Sequence, residues 1–449
     1  MTSIDYRQLL RFYNGKKVFL TGHTGFKGAW LSHLLLSAGA KVTGYSLCPS
    51  TEPSLFSLLD IEHRKNMVSL VGDVRNLGYL KESMAKAAPD IVFHLAAQPI
   101  VRDSYRDPVG TYKTNVMGTV HICECVRLSH LSVSNGGMLP DEPKSSDWMG
   151  VRSFLNITTD KVYKNREWEW GYRETDNLDG FDPYSNSKSC SELVTHGYKN
   201  SFFHNSTGVR VSTARAGNVI GGGDFANDRI IPDCIRALIR ADALLQISTL
   251  TNIEERKNAL QKSSKAVIEV RNPHSIRPYE HVLEPIFAYL LIAKAQYKDE
   301  KYSGYYNIGP DDVDCITTGD LVDLFCTKWN KHNSAPVDRS IPSGIKDKEG
   351  NKECVGNRTL PKIRWTDVSN LNDDNFHEAN FLKLDCSKLK TIFSWKPTWH
   401  IDKAVEQVVA FTAVLLNTKG LSKNVRAEML RAEIDREIDE FCLSNHNFS

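Results

Sequence analysis

Residues Lys16-Lys17-Val18-Phe19-Leu20-Thr21 run directly into Gly22-His23-Thr24-Gly25-Phe26-Lys27-Gly28 and then into Ala29-Trp30-Leu31-Ser32-His33-Leu34-Leu35-Leu36. No other stretch limits the fold so narrowly. The first six residues are a short apolar strand, and the last eight place apolar residues at helical spacing. Strand, glycine turn and helix in that order are the context a dinucleotide fingerprint requires. Gly22 permits the tight turn, Gly25 lets the backbone approach a pyrophosphate, and Gly28 lets the helix pack close to the strand. The N–H groups that open the helix then face the phosphate charge. The spacing is GxxGxxG rather than GxGxxG, and His23 within it has no metal partner, so it is given no chemistry.

Further strands follow at intervals. Residues 40–45 are a second strand whose end should meet the adenosine ribose. A carboxylate there would favour NAD and an arginine NADP. Ser46-Leu47-Cys48 supplies neither, so this position leaves the choice open. Residues 68–75 read as a third strand ending in Asp73. Residues 89–98 read as a fourth, where small Ala96 and Ala97 let a flat ligand lie against the strand end. Asn115 opens a helix that stays apolar through Val126, and residues 154–157 are a fifth strand. Strands alternating with helices specify an α/β fold with a doubly wound parallel sheet of Rossmann type. Residues 129–148, rich in Ser, Gly, Pro and acids and without a period, are expected as a loop insertion. Two more polar insertions, 244–265 and 345–375, are expected as surface elaborations. An amphipathic helix over 423–442 either packs on the second lobe or meets a partner chain.

The fifth strand leads into Thr158-Thr159-Asp160-Lys161-Val162-Tyr163. This puts a hydroxyl, a carboxylate and an amine at a strand's C-terminal end, where open parallel sheets bind ligands. Read alone, Thr-Thr-Asp is an ordinary turn or helix cap. Downstream, Pro183-Tyr184-Ser185-Asn186-Ser187-Lys188 begins a helix that carries Tyr184 and Lys188 on one side, four residues apart. A nearby ammonium favours the phenolate and is expected to lower the Tyr184 pKa from about 10. That would make Tyr184 a base near neutral pH. An exposed Tyr and Lys on a helix surface is the plain alternative.

Charge and cysteine usage narrow the function classes. With 56 Lys+Arg against 54 Asp+Glu the formal charge is +2, which offers no field to nucleic acid or an acidic membrane. No apolar run reaches the roughly 18 residues of a spanning helix. Residues 285–293 come nearest and read as a buried helix. The chain opens Met1-Thr2-Ser3-Ile4-Asp5, without a basic and apolar leader. The ten cysteines lack paired spacing, and no His/Cys cluster has ligand spacing. The expectation is a cytoplasmic protein with reduced thiols and no metal.

Together the glycine turn, the Ala96-Ala97 strand end, Thr159-Asp160 and the Tyr184/Lys188 pair resemble the extended short-chain dehydrogenase/reductase superfamily, and within it the nucleotide-sugar 4,6-dehydratases. Asp182-Pro183-Tyr184, Arg215-Ala216-Gly217-Asn218, Arg271-Asn272-Pro273-His274-Ser275-Ile276-Arg277-Pro278, Leu382-Lys383-Leu384-Asp385 and Trp395-Lys396-Pro397 are similar to the group acting on CDP-glucose. The resemblance runs from Gly15 to Thr412, with insertions. It implies an NAD-binding Rossmann domain over 1–216 and a smaller substrate-binding lobe over 217–449, with part of 276–295 returning to the first. It implies NAD contacts from Gly22, Thr24, Gly25, Phe26, Gly28, Asp73, Val74, Leu95, Ala96, Ala97, Asn115, Tyr184 and Lys188. Substrate contacts are implied for Gln98, Thr159, Asn218, Arg229, Ile230 and Arg277, the planar fork of arginine suiting a diphosphate. A homodimer or a dimer of dimers is implied as well.

The implied reaction converts CDP-D-glucose to CDP-4-dehydro-6-deoxy-D-glucose and water, by internal hydride transfer through a retained NAD. Tyr184 would take the C4 hydroxyl proton, with Lys188 keeping the phenolate accessible. Thr159 would hydrogen-bond the C4 oxygen. Asp160, kept protonated by burial, would expel water from C6. Lys161 stands where many relatives carry Glu. It either acts as the C5 base or stays charged and stabilises the enolate. Two other readings compete: another NAD-dependent nucleotide-sugar dehydratase or epimerase, and a non-catalytic NAD-binding regulatory protein. Thr159-Asp160 weighs against an epimerase, and intact Tyr184 and Lys188 weigh against lost catalysis.

Overall fold

The computed structural model describes residues 4–134, 149–203, 208–248, 267–334, 360–369 and 381–444. In chain order its strands are β1 (Lys17–Thr21), β2 (Lys41–Ser46), β3 (Met67–Val71), β4 (Ile91–His94), β5 (Ser153–Ile157) and β6 (Arg210–Ala216). They continue with β7 (Asn218–Ile220), β8 (Val267–Val270), β9 (Ile276–His281), β10 (Tyr305–Ile308), β11 (Cys315–Thr317) and β12 (Arg364–Asp367). Seven of them make one sheet in the order β10-β6-β5-β4-β1-β2-β3. Every pairing in it is parallel. Each residue of β4 and β5 is buried, as expected where helices cover both faces of a sheet.

The chain winds outward from β1 to β3, then crosses back to lay β4 against β1. That reversal opens a crevice at the strands' C-terminal ends. In register, Thr21 pairs with Tyr45 on one side and His94 on the other. The glycine turn after Thr21 and the Leu95-Ala96-Ala97 segment after His94 therefore stand side by side. Gly22 has φ +76°, and a Cβ there would lie 2.8 Å from the Ala96 nitrogen. Only glycine allows this approach.

The second half adds a three-stranded sheet, β11-β9-β7, and a β12-β8 pair. β9 stays in the small sheet, while the helix Leu283–Lys298 and β10 return to the large one. The return begins inside 276–295, at Leu283, and runs on to β10. Gln296 on that helix accepts from Ser212 and donates to Ser153, joining it to β6 and β5. Trp30 from the glycine helix donates to the Gly222 carbonyl at 2.9 Å. One apolar cluster runs from Leu20 and Leu31 through Phe287 to Phe411 and Phe441.

Other boundaries also move. β3 stops at Val71, so Asp73 lies in the turn beyond it. The helix Gly118–Ser134 runs through residue 129, where the insertion was expected to begin. Residues 135–148 lie outside the described residues, as do 249–265 and most of 345–375. Within the last of these, β12 pairs with β8, and Leu360 and Ile363 are buried. That part is core structure rather than surface elaboration. The helix Lys423–Ser444 packs on the second half, Arg436 donating to Gln407 and Phe441 meeting Trp399 edge-on, and it reaches the first half as well. Phe441 stacks on Tyr6 and Phe287. Asp435 accepts from His33 on the glycine helix, and Arg431 donates to the Leu59 carbonyl.

Candidate active site

β5 delivers the site. Its ladder extends one residue beyond Ile157, the Thr158 N–H donating to the Ala214 carbonyl at 2.8 Å. Thr159 is extended and caps a single 3-10 turn, Asp160–Val162. The capping reading of Thr-Thr-Asp is thus correct, and it does not exhaust the pair. The Thr159 hydroxyl donates to Asp160 Oδ1 at 2.9 Å. Asp160 Oδ2 is buried with no hydrogen-bond partner. Burial pushes the Asp160 carboxyl up against the pull of Lys161, Thr159, Arg277 and Lys27. A carboxyl in that setting favours its protonated form.

The helix Pro183–Phe202 brings the second pair. Pro183 opens it, and Asp182 caps it by accepting from the Ser185 N–H. Tyr184 and Lys188 are both buried. Their electrostatics overturn one expectation. Burial pushes the Tyr184 phenol up to about 12, with the Thr159 hydroxyl and the Arg229 charge pulling the other way. Lys188 is not among the groups that act most on the phenol, and its ammonium donates to the Ile157 carbonyl at 3.1 Å. Lys188 itself is drawn down to about 8 by burial and the Lys27 charge, against Glu192.

The cofactor side divides into open and committed residues. The helix Phe26–Ser37 begins after Gly25 with no side-chain cap, so its first N–H groups are available to an anion. A Cβ on Gly25 would meet only the Gly22 oxygen, at 3.4 Å, so the space above it is open; on Gly28 it would lie 2.1 Å from that oxygen. Phe26 lies under the Gly221 turn. Thr24 bonds Ser46 and the Leu47 carbonyl where β2 ends. Leu95 and Ala96 donate their N–H groups to Thr21, and Ala97 is half-buried beside them. Asp73 is already gripped by Arg75, and Val74 is buried against Gly118. Asn115 sits in a π-helical turn, Lys113–Met117, where it clasps the Gln98 backbone and Ser187. Both ends of the Gln98 amide bond within the protein, to Ile100 and Thr111.

On the facing lobe Asn218 lies on β7 beside Tyr279, and Ile230 opens the helix Ile230–Ser248. Arg229 is paired with Asp224 at 3.2 Å. Arg277 is buried near enough to Asp160 to act on its charge. Lys161 is half-buried.

Two residues escaped sequence reading. Lys27, inside the glycine turn, is drawn down to about 8 by burial, with Glu280 supporting its charge and Arg229 opposing it. Glu280 on β9 is pushed up to about 8 by burial, against Lys27, and neither of its oxygens has a partner. The only sequence signal was their place, within the fingerprint and three residues after Arg277.

Among the described residues no helix is long and apolar enough to cross a membrane. Residues 19–286 match the family model described as GDP-mannose 4,6 dehydratase. CDP-glucose 4,6-dehydratase of Salmonella typhimurium is 40% identical over 403 residues, 89% of this chain and 90% of that protein. Among solved structures, dTDP-glucose 4,6-dehydratase from Bacillus anthracis in complex with NAD superposes with a TM-score of 0.57 at 17% identity, covering 88% of this chain and 95% of that one. UDP-glucose 4-epimerase from Thermotoga maritima with UDP-glucose gives 0.60 at 17% identity, covering 89% and 99%. At those identities the two structures speak for the fold, while the match over more than half of the chain and the 40% relative speak for ancestry. By both measures this chain belongs to the GDP-mannose 4,6 dehydratase family of nucleotide-sugar dehydratases.

Proposed function

We propose that the chain is a CDP-glucose 4,6-dehydratase, an NAD-dependent hydro-lyase that converts CDP-D-glucose to CDP-4-dehydro-6-deoxy-D-glucose and water. The observation that carries this reading is Asp160, a buried carboxyl held by one oxygen with the other unpartnered, next to Thr159 and Tyr184. Loss of a C6 hydroxyl needs an acid there, and epimerisation does not. The 40% relative supports CDP-glucose as the substrate.

The glycine turn fits NAD: open above Gly25, closed at Gly22 and Gly28, and followed by an uncapped helix start. Gly22, Thr24, Gly25, Phe26 and Gly28 would hold its diphosphate, with Leu95, Ala96 and Ala97 along its other face. When bound, NAD supplies a hydride acceptor and returns the hydride within one turnover. Thr159 orients the sugar O4. Tyr184 takes the O4 proton, an event that Arg229 and Thr159 favour and burial opposes. Asp160 Oδ2 gives its proton to the departing C6 hydroxyl. Lys161, one residue along, serves the C5 proton or the enolate charge. Asn218, Arg229, Ile230 and Arg277 receive the nucleotide diphosphate. Gln98 and Asn115 act by holding the β4 turn to the tyrosine helix, and Asp73 and Val74 would contact NAD, as the family resemblance implies.

The protein works in the cytoplasm as a homodimer or a pair of dimers. Exposed Val109, Met117, Leu193 and Phe202 offer apolar surface for such an assembly. The test of function is incubation with CDP-glucose and, separately, with dTDP-, GDP- and UDP-sugars, reading the product by mass. A CDP-sugar lighter by one water supports the reading, and turnover confined to another nucleotide replaces it.

A further inference from the structure

Behind the Thr159–Asp160 strand end lies a buried polar cluster that the chemistry above leaves without a role. Glu192 stands one helical turn beyond Lys188 and is 1% exposed. Its Oε1 accepts from the Thr158 hydroxyl at 2.5 Å and Arg215 Nε at 3.0 Å. Its Oε2 accepts from the Thr213 hydroxyl at 2.7 Å and Arg215 Nη2 at 3.0 Å. Arg215, equally buried on β6, also donates to the Tyr163 hydroxyl at 2.6 Å. Tyr163 donates on to Asn307 on β10, again at 2.6 Å.

The segment that carries Asp160 is therefore tied at both ends, Thr158 before it and Tyr163 after it, to one bidentate ion pair. A buried ion pair is an inefficient way to stabilise a core, since apolar side chains of equal volume do as well or better. What it supplies is directed, fixed geometry. We propose that Glu192, with Arg215, is the positioning residue of this site, fixing the Thr159–Asp160 strand end relative to Tyr184 and Lys188. The proposal rests on the dehydratase reading for what is positioned. It has an electrostatic side too. The groups facing Lys188 are Lys27 from the glycine turn, His94 from β4, the Ile157 carbonyl of β5, and Glu192 on its own helix. Glu192 is the anion among them.

The test uses the full-length protein with NAD. Glu192→Gln keeps the shape and removes the charge. Thr158→Val cuts a single anchor and serves if the first variant folds poorly. The proposal expects kcat to fall roughly 10- to 100-fold with KM for CDP-glucose within about twofold of wild type in both variants. In Glu192→Gln alone, an ε-13C-lysine NMR titration of Lys188, assigned with Lys188→Arg, should move to lower pH, because the ammonium loses its nearby anion. A kcat per folded molecule within about twofold of wild type in both variants overturns the proposal. An unmoved Lys188 titration overturns its electrostatic side. If wild type fails to turn over CDP-glucose, the dehydratase reading fails, and the lysine titration still decides whether Glu192 governs Lys188.

Discussion

Thr159 donates its hydroxyl to Asp160 Oδ1 at 2.9 Å and leaves Oδ2 buried and unpartnered. A carboxyl fixed by one oxygen and bare at the other can hand over a proton without first breaking its anchor. Replacing it separates the two halves of the proposed reaction. Asp160→Asn should slow water loss by roughly 10²- to 10⁴-fold, while C4 oxidation still reduces the bound nicotinamide. Rapid-mixing absorbance of the reduced cofactor, followed alongside product mass, reads both. Full product formation would remove Asp160 from its role.

The same residue makes a stability prediction. Burial raises the folded-state pKa of Asp160. A raised acid stabilises the fold while protonated, and that contribution is lost as pH rises through the folded value. Asp160→Asn should therefore gain in thermal midpoint over wild type at pH 8, and gain less at pH 4. Melting curves at the two pH values check the sign.

Lys27 and Glu280 should tune the same acid in opposite directions. The cations acting on Asp160 are Lys161, Arg277 and Lys27, all favouring its charged form. Glu280 is the anion that supports the Lys27 charge and repels the Asp160 carboxylate. Glu280→Gln removes an anion whose repulsion disfavours the Asp160 carboxylate, so the alkaline limb of the water-loss rate should move to lower pH. Lys27→Met should move it to higher pH. Limbs that move together would contradict this arrangement.

Two glycines of one fingerprint should fail differently. A Cβ on Gly28 would lie 2.1 Å from the Gly22 oxygen, so Gly28→Ala forces the turn apart. It should cost about 1–3 kcal/mol of stability. A Cβ on Gly25 meets nothing closer than 3.4 Å, so Gly25→Ala should fold normally and lose NAD affinity. Calorimetric titration with NAD and thermal unfolding separate the two effects.

Much of this was legible in the chain. The apolar runs within β4 and β5, the glycine turn and the proline-opened tyrosine helix each follow from local pattern, and local pattern is what sequence carries. The failures are of another kind. Tyr184 and Lys188 share a helix side, yet spacing does not say where Nζ points. It points to the Ile157 carbonyl, and burial then governs the phenol. Gln98 and Asn115 satisfy each other and their neighbours, which only the folded backbone reveals. Nothing in the sequence around Tyr305–Ile308 says that it will join the edge of the first sheet rather than stay with its neighbours in the second.

The terminal helix is the clearest case of long-range packing. Phe441 is fully buried between Tyr6 and Phe287, more than 150 residues away in sequence. Phe441→Ala should cost about 3–5 kcal/mol. Denaturant unfolding measures it, and a loss below about 1 kcal/mol would mean that the helix is not integral to the first half.

The most direct test of the central claim is the mass of the sugar nucleotide after incubation of the NAD-loaded protein with CDP-glucose. A product lighter by one water, with no net reduction of NAD, is the predicted result. NAD binding with CDP-glucose recovered intact would contradict it.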